Sequence, residues 1–183
     1  LLIQKNYIKK NANTNFLHSN EIWLKNGKFL NQKKIHKKTG GFIFENCLKL
    51  CCISPSSVMI RKDMLLEFGN FDETFEVCED YELWLRISAK SKIDFIDDVL
   101  LIKHGGHDDQ LSKKKWGMDR YRIQAIEKNL KVNTFSEDQI KLALKYLMLK
   151  INIVLAGAIK RKNFNVYDQY LKKKKLWEVR LNS

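Results

Sequence analysis

Val77-Cys78-Glu79-Asp80-Tyr81-Glu82-Leu83-Trp84-Leu85-Arg86-Ile87 sets two adjacent carboxylates, Glu79 and Asp80, at the start of an apolar helix. The residues before it, Gly69-Asn70-Phe71-Asp72-Glu73-Thr74-Phe75, are a polar loop. Carboxylates in a first helical turn are favoured by the helix dipole. A rigid element also fixes their direction, as a general base requires. Ordinary helix capping produces the same pair, so the choice between the two turns on the surroundings. The spacing predicts a helix over 79–90 with Tyr81, Trp84, Leu85 and Ser88 on one face.

Outward from this point the chain reads as mixed α/β. Residues 1–10 look like a helix, and Asn15 to Lys25 alternates through Phe16, His18, Asn20, Ile22 and Leu24 as a strand should. Asn26-Gly27 signals a hairpin into Lys28-Phe29-Leu30. A basic loop, 33–41, leads to a helix over 42–50 that faces inward through Ile43, Cys47 and Leu50. Ser57 to Arg61 reads as a buried strand, and Asp63 to Phe68 as a short helix closed by Gly69. Two short strands are expected at 93–96 and 99–103, then helices over 113–130, 136–160 and 166–177. Ser136-Glu137-Asp138-Gln139 is a capping box, and Ile140, Leu144, Leu147, Ile151, Val154, Leu155 and Ala158 form an apolar stripe behind it. This helical tail is expected to be an appendage that packs on the core or on a second copy, separable from any chemistry.

At 183 residues with 44% apolar content, the chain can bury one sizeable core. No run of 18 residues is uncharged and apolar; the closest, 142–159, contains Lys145 and Lys150 on different faces, which argues for a core helix over a membrane span. Charge is unevenly placed: net +8 over residues 1–40, −7 over 41–110 and +12 over 111–183. An acidic centre between basic flanks suits a site that handles protons and a divalent cation while its surroundings attract phosphates. It equally suits an anionic membrane surface, and lysine-rich genomic composition alone would give the same excess. No helix-turn-helix, zinc-finger or RNP pattern accompanies the lysines, so nucleic acid is not expected as a partner. Cys47, Cys51, Cys52 and Cys78 lack the C-x-x-C spacing of a zinc site and read as buried free thiols of a reducing compartment, the cytoplasm.

Four segments taken together carry a resemblance. They are Pro55-Ser56-Ser57-Val58-Met59-Ile60-Arg61, Gly69-Asn70-Phe71-Asp72-Glu73, Cys78-Glu79-Asp80-Tyr81-Glu82-Leu83-Trp84-Leu85-Arg86 and Gly105-Gly106-His107-Asp108-Asp109-Gln110-Leu111-Ser112. In this order and spacing, over residues 42–130, the chain resembles the C-terminal half of the catalytic domain of bacterial family 2 glycosyltransferases, inverting enzymes of GT-A fold. The resemblance implies an α/β fold: a partial, Rossmann-like GT-A catalytic half over 1–130 and a helical extension over 131–183. It also implies that a nucleotide-binding half with a D-x-D metal motif lies upstream, since no D-x-D occurs in this chain. Asp80-Tyr81-Glu82 cannot replace it, because residues i and i+2 on a helix point to different faces.

The implied chemistry is transfer of a sugar from a nucleoside-diphosphate sugar to a hydroxyl of a glycan or lipid-linked acceptor, in making a cell-surface glycan. Asp80 would be the base, with Glu79 orienting the acceptor or raising the basicity of Asp80 by like-charge repulsion. Ser56, Ser57, Trp84, Gly105 and Gly106 would contact substrate; glycines allow close approach of backbone to phosphate. His107 would ligate the divalent cation, Mn²⁺ or Mg²⁺, and imidazole suits Mn²⁺ better; a histidine binding backbone or substrate hydroxyls is the alternative there. Asp108 and Asp109 are secondary, His104 structural, and His18 and His36 surface residues; Arg86 either pairs with an inward carboxylate or lies exposed. Place of action would be the cytoplasm, or the inner face of the plasma membrane as a peripheral protein. Two other classes stay open: a glycan-binding module using Tyr81, Trp84 and Trp116 as stacking surfaces, and a docking module using the lysine-rich tail on a membrane or partner.

Overall fold

The computed structural model describes residues 1–105 and 116–181, and the chain is a mixed α/β fold with a mixed sheet. Helix α1 (Leu2–Lys10) leads to the long strand β1 (Phe16–Lys25), which turns through Asn26 (φ 50) and Gly27 (φ 75) into β2 (Lys28–Leu30). Two successive positive φ values are what a two-residue type I′ hairpin needs, and Asn-Gly supplies them at little cost. The register, Lys25 opposite Lys28, follows from that turn.

Along β1, Phe16 and Leu17 pair antiparallel with β3 (Met59–Ile60), and residues 23–25 with β2. The other edge of β1 runs parallel to β4 (Asp94–Gly105), from Leu17 opposite Asp94 to Lys25 opposite Gly105. The sheet corrects two expectations. The two expected strands are one, Asp94–Gly105, and the Asp97-Asp98 interruption is a bulge where the register slips opposite Ser19 and Asn20. Ser57 to Arg61 is not a full strand: Pro55–Ser57 is a 3-10 turn, and only two half-buried residues join the sheet. The burial of β1 also departs from alternation. Phe16, Leu17, His18 and Ser19 are all buried because this end is covered on both faces.

The helices α2 (Phe44–Lys49), α3 (Lys62–Phe68) and α4 (Glu79–Lys90) stand between sheet and tail. Gly69 closes α3 with φ +76, and a Cβ there would come within 3.2 Å of the Arg86 guanidinium. Helix α5 (Met118–Lys131) leads into the tail, α6 (Glu137–Lys160) and α7 (Phe164–Leu181). The capping box forms in full: Ser136 accepts from the Gln139 amide, and the Gln139 side chain accepts from the Ser136 amide.

Core residues on both sides of position 130 belong to one hydrophobic cluster, from Phe16, Leu48, Ile53 and Trp84 to Leu144, Leu147, Ile151 and Trp177. Polar contacts reinforce it, with Gln139 donating to the Ala89 carbonyl at 2.7 Å and Tyr146 to Glu45 at 2.7 Å. Helix α6 has the length and hydropathy of a membrane span, but half of its apolar window is buried against the rest of the protein. Lys150 near its middle is buried and donates to the Lys49 carbonyl at 3.0 Å. Those contacts make α6 a core helix of this fold.

Candidate active site

Helix α4 begins at the carboxylate pair as the sequence predicts. Glu79, Asp80 and Glu82 occupy its first turn, and Cys78 precedes it in the left-handed region at φ 66, ψ 21 with no side-chain cap. A non-glycine residue there costs on the order of 1 kcal/mol. The bend turns the chain so that Asp80 sits half-buried at the tip of a helix anchored by Tyr81, Leu83, Trp84, Leu85 and Ile87.

One oxygen of Asp80, Oδ1, accepts from the Tyr81 amide at 2.6 Å, so the residue does part of the work of a cap. The other, Oδ2, accepts from the Cys51 thiol at 3.1 Å. Burial, and then the negative charge of Asp80, push the Cys51 thiol well above its usual range. The thiol therefore stays protonated at neutral pH and acts as a donor to the carboxylate. Each carboxylate oxygen accepts more than one hydrogen bond, so Asp80 keeps lone pairs for an incoming hydroxyl. Cys78, whose thiol burial raises to about 11, feels the charges of the α5 pair Asp119–Arg122, bonded at 3.0 Å. Lys150 reaches Asp119 from α6 at 3.5 Å, and burial lowers its ammonium.

The other expected residues fall as follows. Glu79 is half-buried beside Asp80. Ser56 is exposed in the 3-10 turn, whereas Ser57 is buried and donates its hydroxyl to the Ser54 carbonyl at 2.8 Å. Trp84 corrects the expectation of a sugar platform. It is 2% exposed, lies edge-on to Phe16 at 5.1 Å, and donates its N–H to the Ile53 carbonyl at 3.1 Å. Tyr81 is likewise buried, with its hydroxyl on the Leu48 carbonyl at 2.9 Å. Gly105 ends β4 opposite Lys25. Gly106, His107, Asp108 and Asp109 lie outside the described residues. Among the described residues, no three His, Cys, Asp or Glu side chains are grouped to hold a metal ion.

Three further features matter: the first decides between the two readings of Arg86 in favour of an inward carboxylate, and the other two escaped the sequence reading. Glu82 is fully buried, bonded to Arg86 at 2.7 Å and to Lys128 at 2.8 Å. Arg86 also donates to the carbonyls of Phe68, Gly69 and Asn70, which clamps the loop before α4. Charges at i and i+4 were the available signal.

His18, expected at the surface, is fully buried, with Nε2 on the Thr39 carbonyl at 3.0 Å. The third feature is Lys38, read as part of a basic loop. It is buried 3.5 Å from Glu21 and donates to the Cys52 carbonyl at 3.1 Å and the Ser54 hydroxyl at 3.3 Å. Segment 51–54 is thus gripped from both sides: by Asp80 and Trp84 of α4, and by the Lys38–Glu21 pair at the sheet.

Over 111 residues the chain is 32% identical to an uncharacterized glycosyltransferase of Rickettsia bellii (strain RML369-C), a match covering 57% of this chain and 15% of that protein. The chain thus spans about a seventh of the length of that curated relative. No family model matches the chain, and no solved structure matches it.

Proposed function

We propose that residues 1–130 are the acceptor-side part of a GT-A sugar-transfer centre, that 131–183 are its helical extension, and that Asp80 is the base. The reaction is transfer from a nucleoside-diphosphate sugar to a hydroxyl of a glycan or lipid-linked acceptor, with inversion. One observation carries this reading: a half-buried carboxylate fixed at a helix tip, behind a strained residue, with a protonated thiol holding one of its oxygens. The name of the Rickettsia relative supports sugar transfer in general; inversion, donor type and GT-A fold rest on the resemblance of the four motifs. The buried rings of Trp84 and Tyr81 count against a glycan-binding module built on them.

In this reading the acceptor oxygen attacks the anomeric carbon from the face opposite the diphosphate. The new C–O bond forms as the bond to the diphosphate breaks, and the hydroxyl proton passes to Asp80. The Cys51 thiol and the Tyr81 amide hold the carboxylate in one rotamer while that happens. A divalent cation with His107 among its ligands belongs to the same reading, as does action at the cytoplasmic face of a membrane.

The test is kinetic. In the full-length natural protein, supplied with UDP-, GDP- and TDP-sugars, Asp80→Asn should lower kcat by 10²–10⁴ with donor affinity nearly unchanged, since that is what a positioned base supplies. The anomeric configuration of the product, read by NMR, should be inverted. Retention of more than about a tenth of the activity removes Asp80 from the role.

A further inference from the structure

The turn between α6 and α7 carries a feature that the transfer chemistry does not use. Residues 139–167 contain no Asp or Glu, and this acid-free stretch includes the sequence Ile159-Lys160-Arg161-Lys162-Asn163-Phe164. Ile159 is 58% and Phe164 66% exposed, and the three cations between them are exposed as well. The turn thus sets two large apolar side chains in water on either side of three positive charges.

Part of the backbone of this tip is bonded from within. The amide of Arg161 donates to the Gly157 carbonyl, that of Lys162 to Ile159 and that of Asn163 to Ala158. The Asn163 side chain caps α7 by accepting from the Val166 amide at 3.2 Å. Lys162 holds the left-handed conformation (φ 54) that makes so tight a reversal possible. Each of these bonds removes part of the penalty for bringing irregular backbone to a lipid interface. Its apolar side chains reach the acyl boundary while the lysine and arginine stems carry their charges back to the headgroups.

We infer that the Ile159–Phe164 turn docks this protein on an anionic lipid surface, with Ile159 and Phe164 entering the interface and Lys160, Arg161 and Lys162 meeting phosphate or carboxylate headgroups. The occupant is lipid, because an anionic bilayer offers headgroup charge for the three cations and an acyl boundary for the apolar pair within the span of one turn. The apolar pair and the three charges share one turn of six residues. This surface does not depend on Asp80, so the docking and the chemistry stand or fall separately.

The experiment is cosedimentation of the full 183-residue chain with phosphatidylcholine vesicles containing about a third phosphatidylserine, against phosphatidylcholine alone. Binding is expected to the first and not to the second, and to weaken with salt. Lys160→Gln, Arg161→Gln and Lys162→Gln together should weaken it on the order of 100-fold. The pair Ile159→Ser and Phe164→Ser should weaken it at least tenfold, because both side chains are removed from the interface. All five positions are exposed, so circular dichroism should show each variant folded. The triple change Lys5→Gln, Lys9→Gln and Lys10→Gln on α1 removes the same charge elsewhere and should leave binding within about twofold. Absent binding, equal binding to both vesicle types, or equal loss from the α1 variant overturns the inference. So does indifference to Ile159→Ser and Phe164→Ser, which would mark the tip as a simple anion-binding surface.

Discussion

His18→Gln should flatten the acid limb of the stability curve. The His18 imidazole is fully buried on β1 beside the Phe95 ring at 5.0 Å, and burial lowers its pKa from 6.5 to about 4, against a smaller raising effect of the Thr39 carbonyl. Lys38 also lowers it, and Glu21 raises it. With Nε2–H donating to Thr39, Nδ1 is a buried acceptor with no partner among the described residues. A proton added there would have no partner.

Because the folded pKa lies below the unfolded one, the unfolded chain binds the extra proton first. The contribution of His18 is complete above about pH 6.5 and is lost as pH falls towards 4. From those two values the loss between pH 7 and pH 5 is about 2 kcal/mol. Urea unfolding at half-unit steps from pH 7 to 5 measures it, since the glutamine carries no proton to exchange whatever the substitution costs at pH 7. In the wild type, the His18 ring protons should not shift by NMR until pH falls below about 5. Parallel stability curves for the two proteins, or a ring that titrates near 6.5, would refute the burial argument.

Other substitutions probe the frame around Asp80. Glu82→Gln leaves Arg86 buried against carbonyls alone and should cost about 3–5 kcal/mol. For a chain of this length that lowers Tm by about 6–20 °C, whereas Asp63→Asn in the exposed Arg61–Asp63 pair should give no resolvable shift by calorimetry. Cys51→Ala removes the donor that holds Asp80 in one rotamer and, if Asp80 is the base, should lower kcat with KM nearly unchanged, with Cys51→Ser restoring it; an unchanged kcat would end that role. Truncation after Lys131 strips the partners of the α2, α4 and α5 core and leaves Glu127 without Lys173 and Trp177. The shortened chain should lose its near-ultraviolet dichroism and bind a hydrophobic dye. A cooperative unfolding transition in it would restore the expectation of a separable tail.

Local chemistry was legible where it alone decides the outcome. Asn26-Gly27 could only turn one way, Ser136 and Gln139 cap each other within one turn, and the apolar face of 79–90 required a helix that opens at Glu79. What stayed hidden depends on neighbours far along the chain. His18 and Lys38 are polar in sequence but buried because each finds a partner 17 to 21 residues away, at Glu21 or Thr39. Cys51 and its neighbour Cys52 have similar sequence settings, yet one faces Asp80 and the other Cys47 at 3.6 Å. Trp84 satisfies its N–H inside the core, so an aromatic residue on the motif helix gives no sign of whether it faces ligand or packing. The interruption at Asp97-Asp98 looks like a turn until β1 is laid beside it.

The two edges of β1 also differ in when they can form. The β1–β2 side needs a two-residue turn, which closes in microseconds. The β1–β4 side joins Leu17 to Asp94, 77 residues later. At ribosomal rates of 5–20 residues per second, that strand arrives about 4–15 s after its partner. During that interval β1 exposes a row of unpaired amides and carbonyls beside Phe16 and Leu17, a template for any extended peptide nearby. The nascent chain is therefore most open to mispairing and to chaperone capture between the synthesis of β1 and that of β4.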